Sequence, residues 1–381
     1  VTLSHSNTVL QLPLPEPVHP GGTLRLELEF NGQVPQDFGR GTGKTGYGIF
    51  NFSQGVMSMA GWYPTLAVYD AEGWNLDPVS QIGDSVCSDM AFYDVNVVAD
   101  RNLVVAATGV RVGREEQGGK VHSRFVSGPA RDFYLALSPD FKVASREVGG
   151  TLLNAYTLPE HESAGLETLT NADHALHTYN RLFGSYQYAE FDVVDAPLRY
   201  ALAVEFPGIV LIGSELYERP HAVDFEGAIA HEMAHQWWYN LVGNDVIDDP
   251  WLDEAFTTYS SSLYFQEAHG EDAYQAMVAS LEERYNSLIE DGQDSPVDGS
   301  LRFFEAPGSS GRYGGVVYAK GALFFKAVRD EIGDAAFFQA LQRYYSSYRY
   351  RIAQPADLLA SFETAAGREL DDLYETWLFN P

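Results

Sequence analysis

AIAHEMAHQWWYN, residues 228–240, places two histidines and a glutamate inside an otherwise apolar run. HExxH fixes only three positions, and in a chain with ten histidines its context must decide what it means. Read as a helix, the stretch projects His231 and His235 from one face, one turn apart, within reach of a single zinc ion. Glu232 is offset from that face and can bond a water on the metal rather than the metal itself. The bland alternative is a polar interruption of a core helix. A third ligand would separate the two.

The next helical stretch offers one. In WLDEAFTTY, residues 251–259, Glu254 stands among Trp251, Leu252, Ala255 and Phe256, where a carboxylate is costly to bury without a cationic partner. Two histidines and a carboxylate leave one position open on a tetrahedral ion, the arrangement of catalytic rather than structural zinc. A surface glutamate on a helix edge is the competing reading. Asp253 beside it is either a group orienting a histidine or an exposed acid in a first helical turn. Further on, RYGGVVYAKGALFF (residues 312–325) contains Tyr313 and Tyr318 at the start of a helix, where a hydroxyl can stabilise a developing oxyanion. With 23 tyrosines in the chain, core packing explains either one equally well.

Composition narrows the function classes. The chain has 381 residues, long enough for two domains, with 45% hydrophobic and 20% charged residues, as in a globular protein. A formal charge of -29 would repel a phosphate backbone, so a generic nucleic-acid binder is excluded. A single cysteine, Cys87, excludes an intrachain disulfide framework. The start, VTLSHSNTVLQLPLPEP, has no basic region followed by an apolar run, and no apolar segment reaches the length of a membrane span. Many tyrosines and few lysines lean towards an extracytoplasmic setting, and the compartment stays open.

Along the chain the texture changes once. From residue 10 to about 146 the pattern is strand-like: LRLELEF (24–30) alternates with period two, and AFYDVNVVA (91–99) and LVVAATGVRV (103–112) follow between turns. The aromatic residues of GWYPTLAVYD (61–70) suit core and inter-sheet packing better than a ligand-stacking platform. GRGTGKTGYG (39–48) is read as a loop, since Phe38 stands where a phosphate loop needs its first glycine. After residue 146 helical and strand patterns mix. A helix is predicted over 168–183, strands at LRYALAVEF (198–206) and IVLIG (209–213), then helices over 228–240, 252–268, 272–289, 319–330 and 335–348, with two short ones near the C-terminus. Residues 291–315 read as a long surface loop. The fold class is α+β: a mostly-β domain over 1–146, then a mixed domain over 147–381.

Taken together these residues resemble the aminopeptidase N family of gluzincin zinc metallopeptidases. That family's pattern is HExxH, eighteen residues, then Glu, and eighteen residues separate His235 from Glu254 here. Gln236, Trp237, Asn240, Trp251 and Leu252 extend the likeness. The resemblance implies a thermolysin-like catalytic domain, one zinc ion per chain, Tyr318 of VVYAKG as the transition-state tyrosine, and Tyr313 near a second family tyrosine that meets substrate. It also implies that LAVEFPG (202–208) stands for the family's GAMEN segment, so that Glu205 grips the substrate's free α-amino group. Phe206 replaces the Asn of that segment and Leu202 its leading Gly, which alters the anchor's setting. The β region is shorter than in many members, and the chain stops near the end of the catalytic domain, which leads us to expect a more open cleft.

The expected reaction is peptide hydrolysis with His231, His235 and Glu254 on zinc, Glu232 as general base, and Glu205 fixing a peptide N-terminus. Peptides are the expected partners, with no nucleic acid. Two alternatives stay open: a zinc endopeptidase, if Phe206 disables the amine anchor, and a non-catalytic β-rich binding protein that keeps a zinc site.

Overall fold

The computed structural model describes residues 1–36, 47–71, 73–80, 82–83, 87–306 and 310–381, so most of the 39–48 loop reading lies outside the described residues. The N-terminal part is β-rich. Strands β1 (Thr2–Ser4) and β2 (Val9–Gln11) pair with each other. Strands β3 (Phe50–Ser53), β4 (Val56–Met59), β6 (Val104–Ala107) and β9 (Leu135–Ser138) form one sheet in the order β3-β4-β9-β6. Strands β5 (Ala91–Asp100), β7 (Val110–Gln117) and β8 (Lys120–Ala130) form another in the order β5-β8-β7.

Two strand expectations are corrected here. LRLELEF has no regular structure, and Leu24, Leu26, Leu28 and Phe30 are all exposed. Alternation suits a strand only where a neighbour accepts its backbone bonds, and none pairs with this stretch among the described residues. LVVAATGVRV is two strands rather than one. Gly109, at φ +86°, turns the chain between β6 and β7, and the two halves enter different sheets. Trp62 and Tyr63 of the aromatic stretch pack against the core around Phe133, Trp62 Nε1 donating to the Phe133 carbonyl at 3.0 Å and Tyr63 to Asp132 at 2.9 Å, whereas Tyr69 is exposed.

The second sheet-forming region is mixed. Strands β10 (Lys142–Val148), β11 (Thr151–Thr157), β12 (Glu190–Ala196), β13 (Ala203–Phe206) and β14 (Ile209–Gly213) run in the order β10-β11-β12-β14-β13. Strands β11, β12 and β14 are parallel to one another, while β13 is antiparallel to β14 and lies at the edge. Residue 146, the expected division, falls inside β10. The predicted strand 198–206 is paired only over its last four residues, because Tyr200, at φ +62°, bends the chain before them.

Side-chain alternation splits this sheet between two cores. Phe191, Val193, Val210 and Ile212 face the helices, whereas Val194, Ala196, Val204, Phe206, Ile209 and Leu211 face Val56, Ala106, Tyr134 and Ala136 of the β-rich part. The helical layer begins with α1 (Gly165–Leu182), then the single turn α2 (Ser214–Tyr217), α3 (Val223–Ala234), α4 (Trp251–His269) and α5 (Glu271–Glu290). After α5 come two single turns, α6 (Leu301–Phe304) and α7 (Ser310–Tyr313), so the predicted surface loop is partly structured. A π-helical segment, Gly314–Lys320, leads into α8 (Gly321–Ile332), followed by α9 (Asp334–Tyr348), α10 (Pro355–Ala366) and α11 (Asp371–Tyr374). No helix among the described residues is long and apolar enough to cross a membrane.

Candidate metal centre

Helix α3 carries the motif, and it stops sooner than the sequence suggests. It ends at Ala234, with His235 as its C-cap, and the chain then turns through Trp237 and Trp238 to Tyr239 at φ 98°. The fully buried indoles of Trp237 and Trp238 leave the helical path to fill the core. Trp238 stacks on Phe256 of α4 with ring centroids 4.0 Å apart. This stacking presses α3 and α4 together, so the two halves of the sequence pattern meet.

Their polar atoms converge. Glu254 Oε2 lies 3.2 Å from His231 Nε2 and 3.5 Å from His235 Nε2, and one ligand atom from each of the three residues falls within 4.8 Å of the others. Glu254 is buried, which removes the surface-glutamate reading. Asp253 is buried too, its Oδ1 accepting from the Glu254 N–H at 2.9 Å, so it is no exposed first-turn acid. Burial disfavours charge on Glu254, yet His231 and His235 hold its pKa below the usual carboxylate range. Burial lowers the pKa of His231. Burial also opposes charge on His235, but the carboxylates of Glu205, Glu254 and Glu232 outweigh it and hold that pKa well above the imidazole value. A buried His2Glu set of this kind fits a zinc ion in donor chemistry and in convergence. His235 Nδ1 is 3.2 Å from the Trp238 carbonyl, which turns Nε2 toward the other ligands.

Around this set lie the other expected residues. Glu205, Glu232 and His235 form a second convergent trio within 4.8 Å, with Glu205 Oε1 at 3.7 Å from His235 Nδ1. Glu205 reaches it because alternation along β13 aims it toward α3. Phe206, its neighbour, points the opposite way and stacks on Tyr134 with centroids 4.2 Å apart. The replacement that put the amine anchor in question therefore lies on the far face of the strand.

Tyr318 belongs to the π-helical segment rather than to the start of α8. Its hydroxyl donates to Glu254 Oε1, and its ring lies parallel to that of His231 with centroids 6.1 Å apart. The close approach depends on Gly321, where a Cβ would stand 2.5 Å from the Cβ of Ala255. Tyr313 is buried behind it, edge-on to Tyr318 with centroids 5.5 Å apart. The sequence reading missed Thr257, whose Oγ1 lies 3.3 Å from His231 Nε2. Its place one helical turn after Glu254 was the available signal. It also missed the Trp238 carbonyl, a backbone group that no residue pattern reveals.

Two histidines one turn apart at the end of α3, a carboxylate on the facing helix and an antiparallel edge strand alongside make up a buried His2Glu donor set built on an HExxH sequence. Residues 167–377 match the model described as the peptidase family M1 domain, and the chain belongs to that family. It is 25% identical over 308 residues to a probable aminopeptidase 1 of Saccharolobus solfataricus, covering 76% of this chain and 38% of that protein. It is 27% identical over 209 residues to an aminopeptidase N of Streptomyces lividans, covering 51% of this chain and 23% of that protein. The chain thus spans well under half the length of these relatives. Among solved structures, the M1 zinc metallopeptidase from Deinococcus radiodurans is 26% identical with a TM-score of 0.60, over 77% of this chain and 64% of that one. A variant of that enzyme has been solved with a Tyr-Ser-Ala substrate.

Proposed function

We propose that this chain is a zinc-dependent aminopeptidase, built from a β-rich domain over 1–146 and a catalytic domain over 147–381. The observation that carries the reading is the placement of Glu205: a buried carboxylate beside the metal ligands, on the strand that borders them. A carboxylate at this place beside the donor set offers a peptide's α-ammonium an acceptor about one residue from the scissile bond. Phe206 packs away from this position, which favours exopeptidase over endopeptidase cleavage.

In this reading His231, His235 and Glu254 hold one zinc ion, which when bound would acidify a water and polarise the scissile carbonyl. Glu232, buried at the same site, accepts the water's proton and passes it to the leaving amine. Tyr318 donates its hydroxyl to the carbonyl oxygen as negative charge develops there. Glu205 binds the substrate's ammonium, and Tyr313 lines the substrate side behind Tyr318. The family, the aminopeptidase relatives and the tripeptide-bound structure all support peptides as the substrate class.

The test pairs a peptide with its N-acetylated twin. Cleavage of the free peptide alone is expected, whereas equal cleavage of both would make the chain an endopeptidase. Glu232→Gln should retain zinc by elemental analysis and lose hydrolysis. A wild type that binds zinc but cleaves no member of a diverse peptide panel would favour the binding-protein alternative.

A further inference from the structure

The strand that carries Glu205 is an edge strand, hydrogen-bonded to β14 on one side only among the described residues. Its far face is anchored by Phe206 on Tyr134 of the β-rich part. On the near face a side chain with no part in the chemistry above reaches across. Gln236, fully buried, donates from Nε2 to the Phe206 carbonyl at 3.1 Å and accepts at Oε1 from the Gly208 N–H at 2.8 Å. One carboxamide thus bridges both ends of the Phe206-Pro207-Gly208 turn, and its two ends cannot exchange without facing like against like.

The positions of the bridge matter. Glu205 is one residue before Phe206, and His235 is one residue before Gln236. The amine anchor and the metal ligand are therefore joined by a short closed loop of covalent bonds plus two buried hydrogen bonds, and their side chains stand 3.7 Å apart across it. Loss of the bridge leaves the spacing to an edge strand pulled from its other face.

We infer that Gln236 is a positioning residue that sets the distance between Glu205 and the metal ligands, and thereby the recognition of a free peptide N-terminus. The inference rests on the reading of Glu205 as the amine anchor. Gln236 lies outside the His231, His235 and Glu254 donor set and bonds only backbone groups of the turn among its described hydrogen bonds. Its effect passes through the Phe206–Gly208 turn.

The test uses Gln236→Met, close in size and unable to make either bond, on the zinc-loaded chain. The KM for a free peptide is expected to rise about tenfold or more, with a smaller change in kcat, because displacement of a binding group by a fraction of an ångström is enough. The Ki of the N-acetylated twin, used as a competitive inhibitor, should stay within about twofold, since that ligand makes no use of the anchor. In the double variant with Glu205→Gln the KM should match that of Glu205→Gln alone. Equal weakening of both ligands would mean a general structural role and overturn the inference, as would an unchanged KM or additive effects in the double variant. If Gln236→Met does not fold, Gln236→Asn takes its place: it keeps a neutral carboxamide one methylene too short to reach both backbone groups, and it too should raise KM selectively. Should Glu205→Gln itself leave the KM of the free peptide unchanged, the amine-anchor reading fails and the inference falls with it.

Discussion

In the proposed reaction Tyr318 is shared between holding the site and acting in it. Its hydroxyl rests on Glu254 Oε1, while Oε2 of that carboxylate faces the histidines, and its ring lies parallel to that of His231. A substrate carbonyl arriving at the metal would take over that hydroxyl, and the gain is then made in the transition state rather than in the resting site. Tyr318→Phe is expected to lower kcat about a hundredfold while KM and zinc content stay near wild type. Steady-state kinetics with metal analysis decides it, and a variant with full kcat would remove Tyr318 from the mechanism.

At the scale of elements, β12 holds a charge question of its own. Asp192 is buried on the face of the sheet that meets the β-rich part, with Asn154 Nδ2 donating to it at 2.8 Å. Burial pushes its pKa up to about 8, so it is held as the neutral acid at neutral pH. The folded value lies above the unfolded one, which gives the sign. The stabilising contribution is complete below about pH 4 and is lost as pH rises toward about 8, at up to about 1.4 kcal/mol per pH unit. Asp192→Asn should flatten that decline in urea melts between pH 5 and pH 8 and leave the variant the more stable at the alkaline end. A wild type whose stability does not fall over that range would refute the assignment.

For the molecule as a whole, a buried cation helps link the two regions. Arg131, at the end of the β-rich part and fully buried, donates to the carbonyls of Ser88, Tyr239 and Arg351 at 2.6 to 2.7 Å. Tyr239 closes the turn after α3, so the β-rich region grips the following one beside the candidate donor set. Gly243 makes room for it, because a Cβ there would lie 2.2 Å from the guanidinium carbon. Arg131→Met removes a buried donor shared by three carbonyls, that of Ser88 being buried, and should cost about 3 kcal/mol in denaturant unfolding. Metal removal acts at the same scale. A chelator should lower the melting temperature, and added zinc should restore it, since the ligands converge only in the folded chain.

The candidate donor residues were legible in the sequence because helical period and a fixed interval are local properties. His231 and His235 share a face by geometry alone, and an acid at position 254 within an apolar run demands a cation wherever the helix lies. Register and partner choice are not local. LRLELEF carries a strand's alternation and finds no neighbour, while β6 and β7, read as one strand, part at Gly109 into separate sheets. The helix of the opening stretch ends at His235 because Trp237 and Trp238 gain more by filling the core than by continuing the spiral. What the sequence by itself determined was the donor set, its order and its spacing, through the repeat of a helix. Only the tertiary structure decided that Phe206 turns to Tyr134 and leaves Glu205 facing the metal ligands, because which face of an edge strand meets which core depends on packing between segments far apart in the chain.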